Sequence, residues 1–317
     1  MERALEQPTG YHVGYGASTF SQPLDLTMPR AIDHLVIPAC DLKAQAELYR
    51  RLGFQVGARN RHPWGTENHI VQFDGAFLEL IGLGEGFVAP ASEPGVFSFA
   101  GFVASFLARR EGLAMLALRS HDAEADRRRF KADGLGDFSR FDFARKARRP
   151  DGGEVDVAFS LAFAACPALP EAGFFVCQQR FPENFWSRAA QVHPNGAKAI
   201  AGLAIAHDDP REAAEFLRRF VGAGAARRDG EGFVVEADGA LIECRPRAAL
   251  AERYGAAAIG VEGPPLALAR VAVADLQATR ALLEAGGADF RQRGGALIVG
   301  AGEAMGAALA FEAGALG

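Results

Sequence analysis

The chain has 317 residues, 49% hydrophobic and 23% charged, with a net charge of −5. That length exceeds one ordinary core and suits two domains. The composition excludes a disordered chain, and the mild acidity gives no electrostatic footprint for nucleic acid or an anionic membrane.

Cys40, Cys166, Cys177 and Cys244 stand far apart with no CxxC pair, which reads as buried thiols of a reducing compartment rather than a disulfide frame. Residues 1–30 lack the apolar centre of a secretion signal and read as an irregular leader. No apolar run reaches the roughly 18 residues of a membrane span. The expected location is cytoplasmic.

The first unit, 31–82, opens on a period-two stretch in which Ile32, His34 and Val36 alternate with Asp33, Leu35 and Ile37. Pro38 ends that strand. Asp41 caps a helix over 42–52, with Gly53 at its C′ position. Strands follow over 54–59, 68–73 and 76–81, the last two joined by the hairpin signal Asp74-Gly75. The second unit, 113–180, repeats the order. It has a strand over 113–118, a helix over 123–132 behind Asp122, and strands over 138–146, 155–164 and 173–178, with a hairpin at Pro150-Asp151-Gly152-Gly153.

An aromatic, proline-bearing linker over 181–196 ends in the turn His193-Pro194-Asn195-Gly196. The third unit, 199–245, places a strand over 199–206, a helix over 210–220 behind Asp209 and Pro210, a short basic strand near Arg227, and strands over 232–237 and 240–244. The fourth, 266–313, has a strand over 268–274, a helix over 276–285 and strands over 289–292, 296–299 and 307–312. Copying is visible directly: Phe73-Asp74-Gly75-Ala76-Phe77-Leu78-Glu79 parallels Ala237-Asp238-Gly239-Ala240-Leu241-Ile242-Glu243. Repetition of this length specifies an α+β fold of tandem βαβββ modules, paired into two curled mixed-sheet domains over 31–196 and 197–317, the second a degenerate copy.

Chemistry concentrates in the first unit. Along LELIG, Phe77, Glu79 and Ile81 share one face of a strand. A carboxylate in so apolar a strand is costly to bury unless paired or metal-bound. His34 sits in a similar strand. If the two strands are neighbours, the pair can hold a divalent cation whose open positions take water or substrate oxygens. The competing reading is a plain hydrogen bond between them, or a polar cavity lining. His69 and His193 are candidates for a missing ligand, though ordinary structural histidines are commoner. His62, Thr66 and Asn68 could contact substrate polar groups or merely satisfy loop backbone. Trp64, Phe185 and Trp186 could form an apolar lid, or pack.

Other signals are decoys. The stretch 296–312 looks like a strand and a GxGxxxG phosphate loop, but too little chain follows Gly306 to build a dinucleotide unit. The basic runs 127–129 and 145–149 could suggest a nucleic-acid patch; the first, among Asp and Glu, reads as a solvated helix face.

The segments IDHLVIPACDL and LYRRLGFQV resemble the first strand and helix of the vicinal oxygen chelate superfamily, which covers glyoxalase I, extradiol ring-cleaving dioxygenases and bleomycin-resistance proteins. HPWGTENHIVQFDGAFLELIG resembles the glyoxalase-like domain subfamily, where a His-Pro, a Gly-Thr-x-Asn and a Leu-Glu-Leu-Ile recur in that order. The turn at His193 is similar to that subfamily too, and the likeness covers about 31–206. It implies sheets curled around a metal held by a His from the first strand and a Glu from the last strand of each module. His34 and Glu79 occupy those positions. The companion positions depart from the pattern. The second module offers Met115, and Val176 or Gln178. The third has Gly202 but keeps Glu243, and the fourth has Arg270.

The resemblance therefore implies an incomplete ligand set, His34 and Glu79 with His69, for a divalent ion (Zn, Fe, Mn or Ni). It also implies lyase or isomerase chemistry on a carbonyl or enediol, with His34 and Glu79 catalytic. Substrate contacts are expected from His62, Trp64, Thr66, Asn68, Gln178, His193 and Asn195. The alternative is a non-catalytic small-molecule binder or sequestering protein of the bleomycin-resistance type. Ring-cleaving dioxygenase chemistry is disfavoured, since it demands a full facial triad. The expected partners are a small organic molecule and a second copy of the chain as a homodimer, with no nucleic acid and no membrane.

Overall fold

A computed structural model of the chain describes residues 28–148, 153–222, 224, 226–260 and 262–314. Most of the leader and the Pro150-Asp151-Gly152 turn lie outside them. The first module comprises β1 (Ile32–Pro38), α1 (Leu42–Arg51), β2 (Asn60–Arg61), β3 (Thr66–Gln72) and β4 (Phe77–Leu83). After α2 (Phe99–Leu107) comes the second, with β5 (Met115–Arg119), α3 (Ala123–Ala132), β6 (Phe141–Arg148), β7 (Glu154–Ala164) and β8 (Gly173–Gln179). The linker holds α4 (Pro182–Phe185). The third module is β9 (Ala197–Ala206), α5 (Pro210–Val221), β10 (Arg227–Asp229), β11 (Gly232–Ala237) and β12 (Ala240–Arg245). Helices α6 (Arg247–Tyr254) and α7 (Ala256–Ile259) precede the fourth: β13 (Leu266–Val273), α8 (Leu276–Ala285), β14 (Phe290–Arg293), β15 (Ala296–Val299) and β16 (Ala308–Ala313).

Each module's long helix begins behind an aspartate. Asp41, Asp122, Asp209 and Asp275 all accept hydrogen bonds from amides of the first turn that have no partner within the helix. Glycine appears where α1 must turn back: Gly53 has φ +82°, and a Cβ there would collide with Leu282 and Asn195.

The modules pair within the chain. Two eight-stranded sheets form, in the orders β2-β3-β4-β1-β5-β8-β7-β6 and β10-β11-β12-β9-β13-β16-β15-β14. In each, the first strands of two modules meet antiparallel at the centre, and each runs parallel to its own module's last strand. The helix-bearing faces share one core, in which Phe54 stacks on Phe311 at 5.8 Å and Phe174 meets Phe216 edge-on at 4.8 Å. The opposite faces carry separate clusters. That of the first sheet includes Val36, Ile81, Phe163 and Phe175, while the second is filled by Leu250 and Ile259 from α6 and α7. The first sheet curls until its edges touch, where Arg145 of β6 donates to Asn60 Oδ1 of β2 at 3.1 Å.

Two local expectations change, and a third, the absence of a phosphate loop over 296–312, holds. Residues 54–59 form no strand beyond one bond from Gly57 N–H to the Ile70 carbonyl, because Gln55 N–H is taken by the His193 ring and the ladder starts only at Asn60. Helix α2 lies where the repeat predicts nothing; Ser98 caps it, and Phe99, Val103 and Phe106 are buried on the cavity side of the first sheet. The stretch 296–312 is an antiparallel pair, β15 with β16, joined by a short 3-10 turn, so no phosphate loop exists there.

Candidate functional site

His34 and Glu79 meet on the concave face of the first sheet. In the parallel β1–β4 pairing Glu79 stands opposite Val36 and His34 opposite Phe77, so both side chains point away from the shared core. His34 Nε2 lies 3.9 Å from Glu79 Oε2, and both residues are buried. Phe77 stacks on the imidazole at 4.2 Å and Phe175 meets it edge-on at 5.2 Å, fixing the ring plane.

A residue absent from the expected set orients that ring. The β1–β5 ladder shifts register between Ile32 and His34, a bulge that brings two consecutive polar residues together. Asp33 Oδ1 accepts from His34 Nδ1 at 2.6 Å, and Asp33 Oδ2 accepts from Gln179 Nε2 at 3.1 Å. A carboxylate can only accept, so Nδ1 carries a proton and Nε2 is the ring atom that faces Glu79.

His62 mirrors this from the other side. It is buried, stacked on Trp64 at 4.6 Å, and its Nε2 is 3.8 Å from Glu79 Oε1. Asn68 sets the tautomer. Its Oδ1 accepts from Asn60, so its amide nitrogen faces both Glu79 Oε1 at 2.6 Å and His62 Nε2 at 3.3 Å. His62 Nε2 must then accept, and Nδ1–H donates to Thr66 Oγ1 at 2.8 Å. Burial pushes the His62 imidazole down to about 4 against the pull of Glu79, with Arg145 adding to the depression. Two imidazole Nε2 atoms thus face one carboxylate, at distances too long for a hydrogen bond.

Asp33, His34 and Cys177 form a buried group whose ligand atoms lie within 4.8 Å of one another. The Asp33–His34 contact is a hydrogen bond, and burial, with Asp33 and Glu79 adding, holds the Cys177 thiol well above its ordinary range. Cys177 faces the cavity because β8 alternates. Phe175 and Cys177 point inward; Val176 belongs to the shared core and Gln178 to the helix side, where it donates to the His121 carbonyl and accepts from Ala123 N–H. The register equivalent of Glu79 is therefore Phe175, opposite Ala117, and neither Val176 nor Gln178.

Alternation also removes His69. Ile70 pairs with Glu79 and His69 with Leu80, so His69 projects through the opposite face, donating to the Gly57 carbonyl at 2.8 Å. His193 and Asn195 lie behind the sheet as well. His193 joins Gln55 N–H to the Gln72 carbonyl, and Asn195 bridges the Leu52 carbonyl and Ala197 N–H. Of the expected substrate contacts, His62, Trp64 and Asn68 line the cavity, while Thr66 supports His62 from beside it.

The cavity has a volume of about 40 Å³, room for about three waters, so a larger occupant requires its walls to shift. Those walls are aromatic: Trp64, Phe99, Phe143, Phe159, Phe175 and Phe185. Gln72 holds the 185–187 segment beside it through the Phe185 carbonyl and Ser187 N–H. Phe185 and Trp186 both pack on Phe77.

The second sheet repeats the positions without the cavity. Glu243 and Glu312 stand opposite Ala204 and Ala272, as Glu79 stands opposite Val36. Arg245 binds Glu243 at 2.7 Å and Arg270 binds Glu312 at 2.6 and 2.8 Å.

The first sheet is thus a curled sheet of paired βαβββ modules with a histidine and a glutamate converging on its concave face. The chain belongs to the glyoxalase-like domain family, which it matches over residues 32–221, more than half its length. Among solved structures it is similar to a hypothetical protein from Staphylococcus aureus, with TM-score 0.62 and 12% identity over 90% of this chain and 100% of that one. It is also similar to a triple mutant of 4-hydroxymandelate synthase from Streptomyces coelicolor, with TM-score 0.52 and 15% identity over 84% and 78% of the two chains. At such identities the likeness is one of fold. No curated protein sequence matches the chain. Among the described residues no helix is long and apolar enough to cross a membrane.

Proposed function

We propose that the first sheet houses a metal-assisted centre acting on a small organic molecule, with His34, His62 and Glu79 as the protein ligands. The observation that carries this is the pair of imidazole Nε2 atoms facing one carboxylate at 3.9 and 3.8 Å with no hydrogen bond between them. A cation drawn between the rings and the carboxylate would give all three groups a common partner. Both imidazoles also have Nδ1 anchored by a side-chain oxygen, the outer-shell support that ligating histidines need. Two histidines and one carboxylate with open positions suit a divalent transition metal.

When bound, such an ion polarises a substrate carbonyl or enediol oxygen. The chain's own contribution is positional. Asp33 and Thr66 hold the two ring tautomers, and Asn68 holds the Glu79 carboxylate. The aromatic walls exclude water from the reacting carbon, and Glu79 is placed to take or return a proton there. Carbonyl or enediol isomerase and lyase chemistry fits these parts. Met115 and Phe175, where the superfamily pattern has further ligands, leave the ion more open than a four-ligand set does.

The aromatic lining, rich relative to its polar groups, favours a second reading as a sequestering pocket that merely orients its ligand. Elemental analysis of the purified protein separates the two. About one divalent transition metal per chain is expected, lost in His34→Ala, His62→Ala and Glu79→Ala. A protein that folds metal-free, and whose melting temperature neither zinc nor chelator moves, would sink the metal centre and leave the pocket.

A further inference from the structure

We infer that the substrate of this centre carries a carboxylate, and that Arg145 is the residue that reads it. The inference rests on the proposed small-molecule site but not on its metal. Along β6, Phe141, Phe143 and Arg145 are shielded while Asp142, Ala144 and Lys146 are exposed, so the edge strand turns one cation inward from a basic stretch. Arg145 lines the same cavity as His34, His62 and Glu79.

Its guanidinium is only partly used. Nη1 donates to Asn60 Oδ1 at 3.1 Å and to the Lys146 carbonyl at 3.4 Å, while Nε is shielded from solvent with no partner. Among the described residues no carboxylate lies within 4.0 Å of it. Burial pushes its pKa down, and the charge of Glu79 opposes that. A desolvated guanidinium without a counter-ion is costly, and an anionic ligand removes the cost.

The remaining geometry selects the kind of anion. Phe143 leaves the same face of β6 as Arg145, and Trp64 packs against it at 4.8 Å. A guanidinium fork beside flat rings suits a planar carboxylate, which accepts two parallel hydrogen bonds from such a fork, better than a tetrahedral phosphate in so small a space. The donors also run in one direction, from Arg145 to Asn60, Asn60 to Asn68 and Asn68 to Glu79. An anion on Arg145 is thus connected through three hydrogen bonds to the carboxylate at the centre. The substrate class is a small carboxylic acid whose carbonyl, a few atoms from the acid group, reaches the His34–Glu79–His62 end.

The test is binding measured by intrinsic tryptophan fluorescence, since Trp64 lies in the cavity wall. Pyruvate, its neutral ester methyl pyruvate, and inorganic phosphate are the probes. Wild-type protein is expected to bind pyruvate about tenfold or more tightly than the ester, the scale of one charge-assisted pair. Arg145→Gln keeps a donor for Asn60 and should bring the ratio to about one while leaving ester affinity within about twofold; Arg145→Lys should fall between. The ratio should survive in Glu79→Gln, so loss of the metal centre alone leaves this assignment standing. A wild-type ratio near one, absence of saturable pyruvate binding, or phosphate binding more tightly than pyruvate would overturn it. So would a ratio that persists in Arg145→Gln but vanishes in Glu79→Gln, because the acid would then be read by the metal. If Arg145→Gln also loses the ester, Arg145 is a structural clasp between β6 and β2 and the assignment fails.

Discussion

Tyr254 donates its hydroxyl to Glu243, the residue that holds in the second sheet the place Glu79 holds in the first. Both sheets keep an inward glutamate, and they satisfy it differently. In the first, an amide and two imidazole rings surround it. In the second, Arg245 and the phenol of α6 bind it directly, Gly202 stands where His34 stands, and Arg270, in the place of Met115, is bound to Glu312. Guanidinium groups supply positive charge there, and α6 and α7 pack over that face.

Removing that phenol tests the separation of roles. Tyr254→Phe leaves Glu243 with Arg245 but strips one buried donor, so about 1–2 kcal/mol of stability should be lost in denaturant titration. Metal content and ligand binding should not change. A parallel fall in metal content would mean that the second sheet contributes to the centre.

The two faces of β3 give a sharper contrast. Thr66→Val removes the oxygen that orients His62, and Asp33→Asn replaces the acceptor-only carboxylate that orients His34 with an amide that can also donate; each should weaken metal affinity about ten- to a hundredfold in a chelator competition. His69→Gln, one strand position from Asn68 but on the far side of the sheet, should leave affinity unchanged. Equal effects from His69 and Thr66 would contradict the β3 register.

His193 sets a pH dependence unconnected with the cavity. Burial lowers its pKa, opposed by the Gln72 carbonyl and assisted by Lys198, and its neutral form is the one that accepts from Gln55 N–H. The unfolded chain therefore binds this proton more readily. Stability is full above the ordinary histidine value and falls as pH drops through and below it. Denaturation at pH 7.5 and 5.5 should show that loss, reduced in His193→Gln. Because burial also depresses His62 and His69, part of the slope should remain; an unchanged slope would remove His193 as its source.

Local chemistry made much of this readable beforehand. Helices 123–132 and 276–285 and strands 232–237 and 296–299 fall where periodicity and capping put them, because an aspartate cap, a helical stripe and a two-residue alternation are properties of short segments. The inward facing of Glu79 followed from the same alternation. Helix α2 carries an equally local signal, Ser98 followed by a nearly continuous apolar run, but it falls between two modules, as α6 does, where the βαβββ repeat specifies no element.

Sequence alone determined that this chain folds as four βαβββ modules and singled out His34 and Glu79, on two strands that are neighbours in the sheet. Which further groups join them was decided by contacts between distant segments. The bulge that turns Asp33 onto His34 needs β5 as its partner, and the placement of His62 rather than His69 follows from the pairing of β3 with β4. Arg145 reaches the cavity only because the curl of the sheet brings its two edges together. Strand register and sheet closure depend on the whole set of nonlocal pairings, so no single segment encodes them.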